Sequence, residues 1–237
     1  MANAIHFHNY RMAVRRQLWA VLSAVAFAGL LCFLLCSCDE HEPMDNNIHP
    51  GFVLCDGHQV VTIDAYRQDA SLKAVGVVFA GATNDHPVLA VLLDELYPIE
   101  YADTLGLDFK TSGSVTDFDG YANSVAMRNG ASKGYGSPLG EAVFDSHRFG
   151  QSDYVPSYAE ARLLYQSLSV VNAVIREVGG TPVSTDSSDG SCWYWTSTED
   201  NDDRGNRAWL CSMASGGLQQ TPKTEAHPAR IIVALNY

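Results

Sequence analysis

Four acidic side chains and one amide crowd the run Glu199-Asp200-Asn201-Asp202-Asp203. Carboxylate and amide oxygens are the hard ligands calcium takes, roughly six to eight at a time. Built calcium loops alternate their ligands about a central glycine. This run lacks that spacing, so no cofactor is expected, and calcium is the cation that would overturn the expectation. Glu199, Asp200 and Asn201 are candidate ligand-binding residues, and Asp202 and Asp203 are the candidate metal pair. A looser group, Asp117-Phe118-Asp119-Gly120 with Asn123, is explained by a turn followed by a helix cap. Aromatic rings stand just upstream of the acidic run: Trp193, Tyr194 and Trp195, with Trp209 further on. Such rings can stack on sugars or fill a core. Strand alternation puts Trp193 and Trp195 on one face and Tyr194 on the other. Trp195 and Trp209 are expected in the core, which leaves Trp193 and Tyr194 as the ring contacts for a ligand.

Sulfur and imidazole chemistry is sparse. Cys55, Cys192 and Cys211 show no C-x-x-C pattern, so zinc is not expected. If two strands pair with Trp195 opposite Ala208, the same register sets Cys192 opposite Cys211, where a cross-strand disulfide could form. His41, His58, His86, His147 and His227 are scattered. No nucleophile–base spacing stands out, and no catalytic residue is assigned.

The elements that must hold these residues read as strands, then helices, then strands. Phe52 to Cys55 and Gln59 to Ile63 flank the turn dipeptide Asp56-Gly57 and form a hairpin pattern. Lys73 to Phe79 and Val88 to Leu93 are near-continuous apolar runs, the mark of strands covered on both faces. Asp94 to Thr116 is weakly periodic. Asn123 is positioned to cap a short helix, and Pro138 to open another. Ser157 and Glu160 make an S-x-x-E capping box before Ala161, Leu164, Tyr165 and Leu168 at helical spacing. A second amphipathic segment runs from Val170 to a stop at Gly179-Gly180. Three more strands are expected at Cys192 to Ser197, Ala208 to Met213 and Arg230 to Leu235. The order gives an α+β fold class.

The N-terminus has its own logic. Arg11, Arg15 and Arg16 precede an uncharged apolar run from Leu18 to Leu35, which ends in Leu35-Cys36-Ser37-Cys38 before Asp39 and Glu40. Cationic, apolar and cysteine parts in that order are the pattern of a lipoprotein signal, with Cys38 the lipidated residue. The expected organisation is a signal over 1–37, a tether over 38–50 and one domain over 51–237. All 27 acidic residues follow the signal, whereas three of the 15 Lys and Arg lie within it, so the processed chain carries about −15. That surface repels nucleic acid and offers no basic patch to anionic lipid. Membrane contact is assigned to the acyl anchor.

The C-terminal half resembles the lectin-like domains of gut Bacteroidetes lipoproteins called Lcl C-terminal or DUF1566-like. The likeness is carried by Tyr154-Val155-Pro156-Ser157, Tyr194-Trp195-Thr196-Ser197-Thr198-Glu199, Ala208-Trp209, Gly216-Gly217 and Ala229-Arg230-Ile231-Ile232-Val233. Asp153-Tyr154-Val155 departs from the usual Trp-Tyr-Leu, and Ala161 from the usual leucine. The resemblance spans about 51–237. It implies a C-type-lectin-like fold: a twisted antiparallel sheet, two main helices and long loops. The E-P-N and W-N-D sugar motifs of calcium-dependent lectins are absent, as are the further motifs of the formylglycine-generating enzymes. The expected function is a surface-exposed outer-membrane lipoprotein that binds an external glycan or protein ligand and is not an enzyme. The alternative is an accessory or tip subunit of a surface appendage.

Overall fold

Consecutive apolar residues form strands here because both faces of the main sheet are covered. A computed structural model of the chain describes residues 47–130, 134–145 and 153–235. Cys38 and the signal lie outside the described residues. The strands are β1 (Val53–Cys55), β2 (Val60–Val61), β3 (Ala74–Ala80), β4 (Val88–Glu100), β5 (Asp153–Tyr154), β6 (Trp193–Glu199), β7 (Arg207–Ser212), β8 (Leu218–Pro222) and β9 (Ala226–Leu235). The helices are α1 (Ile63–Gln68), α2 (Gly120–Asn129), α3 (Pro138–Asp145) and α4 (Tyr158–Glu177). A six-stranded antiparallel sheet runs β2-β1-β3-β4-β9-β5, and a smaller antiparallel sheet runs β6-β7-β8. The chain is α+β. Among the described residues no helix is long and apolar enough to cross a membrane.

Neighbouring strand residues go to opposite sides, as the pleat requires. Val53, Val77, Leu89 and Ile232 join one buried cluster, which α4 covers with Leu164, Leu168, Val171 and Ile175. Leu54, Val78, Ala90 and Val233 join the other, with Tyr101, Phe109, Met127 and Leu139 from the irregular segments and short helices. β6 does the same: Tyr194 belongs to the helix-side cluster and Trp195 to the loop-side cluster.

Several local expectations hold in detail. Val53 pairs with Val61 and Leu54 with Val60 about the Asp56–His58 turn, so the first hairpin forms, but its second strand is only Val60–Val61 and Ile63 opens α1 behind the Thr62 cap. The Ser157–Glu160 capping box is complete. The two amphipathic segments after it are one continuous helix. Other expectations are corrected. β4 extends through Glu100 with two register shifts, so part of the weakly periodic stretch is bulged strand. Asn123 lies inside α2 rather than at its start, and Asp119 is the cap position. Packed structure begins before residue 51: Ile48 packs on the loop-side cluster, and the Gly51 N–H donates to Val78 O at 2.8 Å.

Candidate functional site

Glu199 ends β6 fully buried. Its Oε1 accepts the Phe109 N–H at 2.8 Å and the Lys223 ammonium at 2.5 Å. Its Oε2 accepts the Thr111 N–H and hydroxyl, both at 3.0 Å, with the Arg204 guanidinium at 3.4 Å. Lys223 is also fully buried. Its other protons go to Leu107 O at 2.6 Å and Arg204 O at 2.5 Å. The rings of Tyr101 and Phe109 flank it at 5.2 and 4.9 Å. Burial pulls the Lys223 pKa down, and the Glu199 carboxylate opposes that pull.

Arg204 donates to Thr111 O and meets Asp108 at 3.3 Å. Burial pushes the Asp108 carboxyl up, but hydrogen bonds from Lys110 and Arg204 outweigh it and hold the pKa at about 2. Every oxygen of Glu199 and every proton of Lys223 is engaged. This is how a buried ion pair is tolerated, since an unpaired partner would bear its full desolvation cost. The arrangement fastens the segment 101–119, which carries no helix or strand, to the end of the small sheet.

The acidic run therefore splits. Glu199 is a structural clamp rather than a ligand-facing group. Asp200 is almost buried too: one oxygen accepts the Asp202 N–H at 3.1 Å and the other the Gln220 amide at 2.8 Å. Asn201 is exposed, but its amide donates to Gly113 O at 3.0 Å and its oxygen accepts from Arg204 at 2.7 Å. Asp203 accepts from Asn206 at 2.6 Å and stands 3.7 Å from Arg207. Asp202 is exposed. Among the described residues no group of three or more His, Cys, Asp and Glu side chains is placed to hold a metal. In the looser group, Asn123 is buried, donates to Asp119 at 2.8 Å and accepts the Ser112 N–H at 2.9 Å.

The aromatic set is rearranged as well. Trp195 is fully buried, donates to Ile99 O at 2.8 Å, and meets Tyr101 and His227 edge-on at 5.4 and 5.2 Å. Tyr194, expected toward ligand, is buried. Its hydroxyl donates to Glu95 at 2.7 Å and accepts the Ser184 N–H at 2.8 Å. Glu95 in turn meets the buried Arg230 at 3.1 Å. Trp193 is half-buried against the loop-side cluster. Trp209, expected in the core, is only partly buried, like Trp193, and lies outside both clusters.

The cysteine pairing is corrected by register. Trp195 pairs with Leu210, not Ala208, and Ala208 pairs with Glu199 across a register shift. Cys211 therefore faces Tyr194, while Cys192 lies just before the strand. Cys192, Cys211 and Cys55 are all free and buried. Burial pushes the Cys211 thiol up to about 12, which suits an inert core residue.

Sequence reading missed Lys223, Arg204, Asp108 and Thr111. Their partner Glu199 is 24 residues from Lys223 and 88 from Thr111, and no local pattern marks such a pairing. No protein-family model matches the chain, and no curated protein matches its sequence.

Proposed function

We propose that this chain is a lipid-anchored outer-membrane protein, exposed at the cell surface, whose domain has a C-type-lectin-like fold. It binds an external glycan or protein ligand and does no chemistry on it. The observation that carries the reading is the clamp. A long irregular segment, 101–119, is held by the buried Glu199–Lys223–Arg204 network against the β6–β7 hairpin. Recognition surfaces are built from loops that a rigid scaffold fixes in place. The motif residues behind the family resemblance support the same reading, because Tyr194, Trp195, Glu199 and Arg230 are all buried. They are framework residues, so specificity resides elsewhere on the surface.

The test presents the detergent-solubilised full chain to glycan and host-protein arrays, with and without calcium. Saturable binding to one ligand class is expected. Silence across both arrays, or turnover of a spotted ligand, overturns the proposal. Anchoring is checked separately. Cys38→Ala should leave the protein unprocessed or free of the membrane fraction. A variant still acylated, for instance at Cys36, would move the anchor.

A further inference from the structure

Every arginine among the described residues but two is already occupied. Arg67 holds Asp64 and Glu177, Arg204 holds Asp108 and Glu199, Arg207 holds Asp203, and Arg230 holds Glu95. Arg128 lies 4.6 Å over the Phe144 ring. The two left over, Arg162 and Arg176, are both exposed and both on α4. Acidic side chains outnumber Lys and Arg by 27 to 15 in this chain, yet neither of these two arginines meets a carboxylate. The closest acid in sequence to Arg176, Glu177, is taken by Arg67 at 2.6 Å. Arg176 reaches only the Asn172 carbonyl of its own helix, at 3.3 Å.

Each of these arginines lines a cleft. One cleft, of ≈ 270 Å³, is walled by Arg162, Gln166, Phe118 and Thr116. The other, of ≈ 560 Å³, is walled by Arg176, Gln166, Tyr165, Ser169 and Thr185. Gln166 belongs to both, so the clefts are consecutive along one side of α4. The 14 residues from Arg162 to Arg176 correspond to about 21 Å of helix. Each cleft repeats one set of parts: a guanidinium that meets no carboxylate, a partly exposed ring (Phe118, which also meets His86, or Tyr165, which also packs on the helix-side cluster) and the shared amide. Guanidinium forks take carboxylate or sulfate in two-point contact. Ring faces take the C–H side of a sugar, and amides and hydroxyls serve its hydroxyls.

We propose that this groove on the outer side of α4 binds an extended anionic polysaccharide, with one acidic sugar at Arg162 and another at Arg176. The proposal rests on the glycan-binding reading above and gives it a site and a ligand class. The two guanidiniums select an anion locally, against the repulsion of a chain of formal charge −12, and the paired rings select a saccharide over a flexible acidic peptide.

The test measures binding of the full chain, in detergent, to polygalacturonate, dextran sulfate and neutral dextran. Polygalacturonate supplies carboxylates and dextran sulfate supplies sulfates, so the two arms separate the sources of negative charge. Binding to at least one acidic polymer and none to neutral dextran is expected. Arg162→Gln and Arg176→Gln should each weaken it roughly tenfold or more, since each removes a charge-assisted contact. Gln keeps helix propensity at these exposed positions. Arg207→Gln, which lines neither cleft and meets only Asp203, should leave affinity unchanged. Tyr165→Leu should weaken polygalacturonate or dextran sulfate binding and spare polyglutamate.

Acidic-polymer binding that ignores both α4 substitutions overturns the groove. Polyglutamate bound as tightly as the polysaccharides, with Tyr165→Leu silent, overturns the saccharide. Array binding to some other ligand that survives Arg162→Gln and Arg176→Gln sinks this site and leaves the function proposed above standing. Array silence sinks both.

Discussion

Arginine is used in opposite ways at the two ends of this domain's surface chemistry. At the end of β6, Arg204 is drawn into a cluster with Asp108 and Glu199, and that cluster also holds Lys223. Along α4, Arg162 and Arg176 stand exposed and meet no carboxylate. The first region has no hydrogen-bonding capacity left for a ligand at Glu199 or Lys223, whereas the second spends only one Arg176 donor, on the Asn172 carbonyl. A dense acidic motif is thus a poor guide to the binding face when its oxygens are committed to the fold. The contrast predicts that changes near Glu199 act on stability, while changes on α4 act on binding.

The sharpest break targets Lys223. Lys223→Met leaves the Glu199 charge buried with its main cation gone, which should cost about 3–5 kcal/mol. Chemical denaturation measures this. Adding Glu199→Gln should restore part of the loss, because the leftover charge disappears. A Lys223→Met protein as stable as the parent would mean that the pair is not buried as described.

Trp195→Ala should cost a similar amount, about 3–5 kcal/mol, from its cavity and its lost bond to Ile99. Trp209→Ala, at a partly buried position outside both clusters, should cost less, about 1–2 kcal/mol. The two tryptophans of one hairpin are thereby separated. Equal losses would place Trp209 in the core after all.

Glu160 tests the clamp idea in a second place, by pH. Burial raises its carboxyl to about 7, against hydrogen bonds from Ser157 and Tyr154. A raised folded-state pKa means that the native protein binds the extra proton. The contribution is therefore fully present below about 4.5 and is lost as pH rises through about 7, on the order of 3 kcal/mol in all. Glu160→Gln keeps the capping geometry and removes the titration. The stability difference between variant and parent should shift toward the variant from about pH 4.5 to 7 and then level off. His227, whose pKa burial lowers, titrates with the opposite sign but is common to both proteins. A pH-independent difference would contradict the raised pKa.

The parts of this fold that sequence made legible are those whose signal is local. β3 and β4 announce themselves by apolar residues at successive positions, and α4 by its capping box. β8 went unseen because Leu218, Gln219 and Gln220 are exposed and show no alternation. The register expected for the hairpin is two residues short, because the irregularity between Trp195 and Glu199 leaves no mark in composition. Tyr194 was assigned to ligand on the premise that one face of β6 is open, whereas both faces are covered. Arg162 and Arg176 carried no motif. They stand out only once the other arginines are seen to be engaged and Glu177, beside Arg176, is seen to be held by Arg67.

The smallest expected effect concerns calcium. A bound cation stabilises the fold by RT ln(1 + [L]/Kd), roughly 2.7 kcal/mol at a hundredfold excess over Kd. For a domain of this size that is a melting shift of several degrees. The loop after β6 would have to give up existing bonds to supply such a site. Glu199 would have to release Lys223, and Asp200 its contacts with Gln220 and the Asp202 N–H. Asp203 already meets Asn206 and Arg207, and Asp202 alone cannot furnish the six or so oxygens calcium requires. Millimolar calcium should therefore leave the melting temperature unchanged to within about a degree. A clear rise, abolished by Asp202→Ala with Asp203→Ala, would show that the loop rearranges around the ion and would return the ligand site to this end of the molecule.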